Sequence, residues 1–289
     1  MSMHELRFGL KNSLQGNTPE ALRRAWAIAD DAGFDTCWEY DHFAALGPDR
    51  TVDVFEAWTT LAAMAQATSR VRIGTMVTGN SHRHPGMLAK MAVTVDHLSG
   101  GRLEMGIGAG GDELVHEMFG LPLGPVRERI EALDEACRIL ELLWTQPRVS
   151  FSGRHYRLDG AVANPKPVQR PRPPLWIASS GERFGLRVVA EHADVWINAN
   201  QPGEDPAELA RLGGVLDRHC EAIGRDPDAI RRAVQLRLPG DADEALRTVE
   251  RHVRAGCTEV IVMIFGGGDE SVAASEAVAE LLPKLRSLG

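Results

Sequence analysis

A chain of 289 residues that is 44% hydrophobic and 25% charged can bury one large core and is neither fibrous nor disordered in composition. Its formal net charge of −8 argues against general affinity for nucleic acid or an anionic membrane, both of which need a broad excess of Lys and Arg. The expected partner is a small-molecule substrate. Cys37, Cys137, Cys220 and Cys257 lie far apart with no Cys-x-x-Cys pair, which fits reduced thiols better than a disulfide frame or a zinc site. The opening residues lack a basic region leading into an apolar core, and no stretch approaches the ~20 apolar residues of a membrane span, so the cytoplasm is the expected compartment.

Along the chain, short aliphatic or β-branched runs alternate with longer segments of helical spacing. Leu6 to Leu10 reads as a strand and Pro19 to Ala32 as a helix, opened by Thr18 before a first-turn proline and stopped by Gly33. Strands Asp35 to Tyr40, Val71 to Val77 and Arg102 to Ile107 follow, interleaved with helices Val54 to Thr68 and Gly86 to Leu98 and succeeded by helix Pro125 to Trp144. Val149 to Leu158 then alternates around Ser152-Gly153 like a small hairpin. The proline run from Asn164 to Pro174 forces an extended path. The rhythm resumes with strands Pro174 to Ala178, Ala193 to Ile197, Arg231 to Leu236 and Glu259 to Ile264, and with helices Arg183 to His192, Pro206 to Ile223, Asp241 to Ala255 and Glu270 to Leu288. Eight strand-then-helix units without a break predict an α/β fold, a (β/α)8 TIM barrel with a small insertion before strand five, as one domain spanning residues 1–289. A doubly wound open sheet is the fallback.

In such a barrel the chemistry sits in the loops after the carboxyl ends of the strands. After strand two, Asp41 and His42 stand side by side. An imidazole titrating near neutrality can move a proton and a neighbouring carboxylate can orient it or raise its pKa, whereas the plain alternative is a capping Asp and a surface His. After strand three, His82-Arg83-His84-Pro85 adds positive charge that can meet an anionic cofactor or open the helix at Gly86. Strand four ends in Gly106-Ile107-Gly108-Ala109-Gly110-Gly111-Asp112-Glu113. This formally contains G-x-G-x-x-G, but Gly120, Pro122, Gly124 and Pro125 interrupt the helix that a dinucleotide fingerprint needs. The glycines then either let the backbone approach a flat ligand or simply turn the chain. Ser179-Ser180-Gly181 before a helix can cradle a phosphate or serve as an ordinary N-cap. Asn198, Asn200 and Gly266-Gly267-Gly268 can touch a ligand or shape loops. No zinc-protease, serine-hydrolase or Walker signature occurs.

Taken together, Asp41-His42-Phe43, the run from Gly74 to Asn80 with Arg83 and Pro85, and Ser99 to Gly110 resemble the luciferase-like monooxygenase family in its coenzyme F420-dependent branch. So do Gly153-Arg154-His155-Tyr156, the Asn164 to Pro174 run and Trp176 to Gly181, and these segments span nearly the whole chain. The resemblance implies an oxidoreductase with a deazaflavin across the carboxyl face of the barrel. It places Asp41 and His42 near the reaction centre and a non-proline cis bulge at Met76-Val77, with Thr75-Met76 as the alternative. Thr75, Met76, Val77, Thr78, Gly108 and Gly110 then bind the cofactor, and Ser179, Ser180 and Gly181 hold its phosphate. The family's sugar-phosphate dehydrogenases carry a Glu after the fourth-strand glycines where this chain has Gly111, Asp112 and Glu113, which weakens a sugar-phosphate substrate and leaves the role of Asp112 open. The implied reaction is hydride transfer between F420 and a carbonyl, imine, activated alkene or alcohol, with His42 managing the proton. Three alternatives stay open: an FMN-dependent monooxygenase on the same fold, a non-catalytic flavin-binding protein, and a pyridine-nucleotide dehydrogenase supported only by the glycines. A homo-oligomer, most simply a dimer, is the expected assembly.

Overall fold

The computed structural model describes residues 5–198 and 205–289. Eight parallel strand positions close into a barrel, each strand a short apolar run of the kind that survives only when covered on both faces. In chain order they are β1 (Arg7–Asn12), β2 (Thr36–Glu39), β3 (Arg72–Thr75) with its continuation β4 (Thr78–Gly79), and β5 (Leu103–Gly108). After the insertion come β8 (Leu175–Ala178), β9 (Val195–Ile197), β10 (Arg231–Leu236) and β11 (Glu259–Ile264). The circle closes twice, where β1 pairs with β11 through Leu10 and Val262, and where β3 meets β5 through Ile73 and Leu103. All eight expected strands are present. The insertion is an antiparallel hairpin of β6 (Val149–Ser152) and β7 (Arg157–Ala161).

The outer layer comprises α1 (Pro19–Ala32), α2 (Ala57–Ala67), α3 (Pro85–Leu98), α4 (Glu113–Phe119), α5 (Val126–Thr145), α6 (Gly185–His192), α7 (Pro206–Ala222), α8 (Ala242–Arg254) and α9 (Gly268–Arg286). Capping chemistry fixes several starts. Thr18 Oγ1 accepts the Ala21 amide at 3.1 Å, as the sequence predicts. Helix α2 starts at Ala57 rather than at the expected Val54, because the Glu56 carboxylate accepts the amides of Trp58 and Thr59 and so acts as the cap. The short α4 was not expected at all. Asp112 caps it and Gly120 ends it.

Glu135 of α5 clasps the insertion by accepting the amides of Arg154, His155 and Tyr156. The barrel interior is filled by Trp38, Trp176, Val195, Ile197, Ala233 and Ile261, so it is a packed core and not a channel. Trp38 and Trp176 meet edge to face, with ring centres 4.5 Å apart. Below them, at the amino end, Glu104 accepts from Trp176 Nε1 at 2.6 Å and pairs with Arg72, while Glu259 takes Arg231 at 2.6 Å. All four cysteines are buried and free.

Candidate active site

The carboxyl ends of β1, β2, β3, β5, β8 and β10 frame a cavity of about 550 Å3. Its lining includes Lys11, Asp41, His42, Met76, Val77, His82, Gly108, Gly110, Asp112, Arg129, Ser179, Ser180, Gly181 and Gln235. Asp41, His42, Met76, Val77, His82, Gly108, Gly110 and Ser179 to Gly181, singled out in the sequence, thus converge on one space, whereas Arg83 and His84 do not line it and His84 caps α3.

His42 stands against Tyr40, with rings T-shaped and 5.2 Å apart. Burial lowers its pKa to about 4, the charges of Lys11 and His82 add to that, and Asp112 and Asp41 oppose it without prevailing. The imidazole is therefore neutral at pH 7. Asp41 is buried, and its carboxylate is taken up by arginine. Both guanidinium arms of Arg83 bond its carboxylate, Arg83 goes on to Glu56 at 2.5 Å, and His82 Nδ1 lies 3.7 Å away. Although burial pushes the Asp41 carboxyl up, His82 and Arg83 hold it below the usual range. A carboxylate adjacent in sequence can raise a histidine's pKa, but here its charge is neutralised by arginine, and the imidazole shifts downward instead.

The non-proline cis peptide falls at Met76-Val77, the first of the two positions the resemblance allows. Met76 and Val77 face the cavity, while Thr75 and Thr78 do not. Their hydroxyls lie 2.9 Å apart behind the bulge, and Thr78 accepts from Trp58 Nε1 at 2.9 Å, so these threonines fix the bulge from its far side. Gly108 and Gly110 lie on the cavity wall. At Gly110 φ is 82° and a Cβ would stand 2.0 Å from Ser81 Oγ, so the turn needs glycine. Asp112 caps Val115 and accepts from Arg50 at 3.0 Å, which gives it a structural task on the rim. With α4 only seven residues long and closed by Gly120, no helix leads from these glycines to a neighbouring strand in the way a dinucleotide fingerprint requires.

Ser179, Ser180 and Gly181 line the cavity beside those glycines, because β8 pairs with β5 through Ala178 and Gly108. Helix α6 begins at Gly185, two residues after the expected Arg183, and no side chain caps it. The serines are therefore not its N-cap. Ser179 Oγ instead lies so close to the first turn that a Cβ at Gly185 would be 2.0 Å from it. Arg129 of α5 lines the same cavity; its Nη1 donates to the Gly110 carbonyl at 2.5 Å and its buried Nε has no partner. Sequence reasoning passed over Arg129. A basic side chain in the opening turns of a helix works against the helix dipole and was the available signal. Asn198 is buried beyond β9, and Asn200 lies outside the described residues.

A second pocket of about 480 Å3 adjoins the first, walled by Tyr40, Leu46, Val52, Met263 and Phe265 and floored by the Gly266-Gly267 turn. Lys11 and His42 line both spaces. Lys11 is 7% exposed, donates to Gln235 Oε1 at 2.6 Å and stands 5.9 Å from the Tyr40 ring centre. The expected strand one stopped at Leu10 and left this lysine out.

A TIM barrel whose one cavity is lined by a cis bulge, glycines, two serines and an arginine has room for a flat ligand and donors for an anionic group. The sequence matches the profile of the luciferase-like monooxygenase family over residues 3–280, and the chain belongs to that family. It is 33% identical over 244 residues to an F420-dependent glucose-6-phosphate dehydrogenase of Kineococcus radiotolerans, covering 83% of this chain and 70% of that one. It is also 30% identical over 224 residues to an F420-dependent hydroxymycolic acid dehydrogenase of Mycobacterium tuberculosis, covering 77% and 60% of the two chains. Among solved structures it resembles an F420-dependent secondary alcohol dehydrogenase in complex with an F420-acetone adduct, with TM-score 0.86, 20% identity and coverage of 97% and 99%. At that identity the likeness establishes the fold. No helix among the described residues is long and apolar enough to cross a membrane.

Proposed function

We propose that the protein is an F420-dependent oxidoreductase, passing hydride between the deazaflavin and a small organic carbonyl, imine, activated alkene or alcohol. The observation that carries this reading is the convergence of His42, the Met76-Val77 bulge and the Ser179 to Gly181 loop on one cavity, with the orphaned Arg129 Nε beside it. A buried guanidinium nitrogen without an acceptor, on a side chain lining the same cavity as two serine hydroxyls, suits a phosphate. The relatives named as F420-dependent dehydrogenases support the same cofactor.

When bound, the deazaflavin supplies two-electron hydride chemistry. The rest falls to the chain. Ser179, Ser180, Gly181 and Arg129 would hold the phosphate, and Met76, Val77, Gly108 and Gly110 would line the space for the ring. Thr75 and Thr78 hold the bulge in place. His42, as a neutral imidazole, hydrogen-bonds the reacting oxygen. Asp41 is a positioning residue that ties β2 to Arg83 and, through it, to Glu56.

Titration with F420 and in parallel with FMN, following each chromophore's fluorescence, tests the reading. F420 should bind at least tenfold more tightly. Preference for FMN, with oxygen uptake when it is reduced, would replace the proposal by a monooxygenase. Binding without turnover over a panel of ketones, enones and imines would replace it by a non-catalytic flavin binder. We propose a homodimer as the assembly, which light scattering on the purified protein decides.

A further inference from the structure

We propose that Lys11 Nζ is a catalytic group of this enzyme, the proton donor to the carbonyl oxygen of a substrate whose apolar body sits in the pocket walled by Leu46, Val52, Met263 and Phe265. The inference rests on the F420 reading and deepens it. Hydride can pass only where the ring cavity meets the substrate pocket, and among the described residues Lys11 and His42 are the two side chains that line both. Of these, His42 is neutral at pH 7, with a pKa near 4, and is a poor source of protons. Lys11 is buried, and among the described residues it makes no ion pair with a carboxylate. Among the described residues its one acceptor is the neutral amide oxygen of Gln235, which leaves two of its three N–H donors to meet a ligand.

An ammonium withdrawn from water without a counter-charge is costly, and it is best compensated by an oxygen that gains negative charge during reaction. Burial also lowers the Lys11 pKa to about 8, within the range where a group both holds and gives up a proton near neutrality. The groups facing this junction are Tyr40 and His42 from the end of β2 and Gln235 from β10, with Asp41, His82 and Asp112 farther along the rim. In reduction, the carbonyl carbon accepts hydride from reduced deazaflavin to form a C–H bond while the C=O π pair moves to oxygen. That oxygen takes a proton from Lys11 Nζ. The products are an alcohol, the deazaflavin oxidised by two electrons, and a neutral amine that water reprotonates. Alcohol oxidation runs the same path backwards.

The chain has only four lysines, Lys11, Lys90, Lys166 and Lys284, so protein labelled with 13C at lysine Cε gives a spectrum simple enough to follow each one. Lys11→Met identifies the Lys11 signal by its loss. In wild type that signal should titrate near pH 8, and it should shift when cyclohexanone is added to protein saturated with oxidised F420, a dead-end pair that cannot turn over. With reduced F420 and cyclohexanone, Lys11→Met should lower kcat roughly 100-fold or more while the F420 Kd stays within about threefold. Lys11→Gln serves as a second neutral variant should methionine disturb the barrel. Lys11→Arg should keep the charge and fail to restore turnover, because a guanidinium does not release its proton. The wild-type reduction rate should fall as pH rises through about 8, and His42→Ala should keep that limb. A Lys11 signal unmoved by the ketone, or a neutral variant that keeps both turnover and the alkaline limb, overturns the assignment. Failure of wild type to bind F420 is a different result, and it removes the cofactor reading beneath it.

Discussion

At the amino end of the barrel Glu104, Glu259 and Asp194 meet Arg72, Arg231 and Arg172, whereas at the carboxyl end Lys11 donates to an amide oxygen in place of a carboxylate and Arg129 keeps a nitrogen with no acceptor. Both ends bury charge. The amino end pairs it within the protein, and even there burial pushes Glu259 up to about 7 against the pull of Arg7 and Arg231. The carboxyl end pairs Asp41 with Arg83 but leaves Lys11 without a counter-charge and Arg129 Nε without an acceptor, at a stability cost that a ligand can offset. The contrast implies that substitutions at the lower end should act on folding and substitutions at the upper end on binding and turnover.

The largest effect should come from below. Glu104→Ala would strand Trp176 Nε1 in the core and leave Arg72 without its carboxylate, and should cost about 3 kcal/mol in urea denaturation. F420 affinity of the folded fraction should stay within about threefold. A large loss of affinity with unchanged stability would mean the two ends are not separable. From above, His42→Ala should lower turnover roughly 100-fold, as removal of a hydrogen-bonding group at the reacting oxygen does, without a matching loss of stability. Steady-state kinetics beside a melting curve reads both quantities. Next in size, Arg129→Met should weaken F420 binding about tenfold, by loss of a charge-assisted bond to phosphate. Raising salt should narrow the gap between wild type and variant. Equal Kd values would take Arg129 out of the phosphate site.

The same division separates what was legible in the sequence from what was not. Strands such as Glu259–Ile264 announce themselves because a strand covered on both faces must be apolar throughout, and helices such as Pro19–Ala32 do so because Thr18 and Pro19 mark their start. The rim was legible as a set of loops, since the alternation of strands and helices dictates which ends face the ligand. What escaped depends on register and on partners distant in sequence. Lys11 follows what reads as the end of a strand, and only its pairing with Met263 and its bond to Gln235, 224 residues away, show that it points inward. Asp41 stands next to His42 in the chain yet gives its charge to Arg83, 42 residues further on, a partner that the local sequence does not announce. Helix α4 has too few residues to show a period.

The smallest effect isolates how the amino end spends its charges. Asp30, in the last turn of α1, accepts the amides of Ser69, Arg70 and Val71 where the chain enters β3. Partial burial opposes ionisation, but those three amides, with the Ser69 hydroxyl, outweigh it and hold the carboxyl down at about 2, against an ordinary 3.8. A carboxylate whose folded pKa is depressed stabilises the fold fully above its unfolded pKa, and the contribution is lost as pH falls through the folded value. Asp30→Asn should therefore cost about 1 kcal/mol at pH 7, a figure already discounted for solvent screening at this partly exposed site. The difference between wild type and variant should shrink as pH falls from about 3.8 towards 2. Urea denaturation at pH 7, 3 and 2 follows it. A gap that persists undiminished at pH 2 would show that Asp30 acts through its shape and not through its charge, and that pairing of charge is not the rule at this end of the barrel.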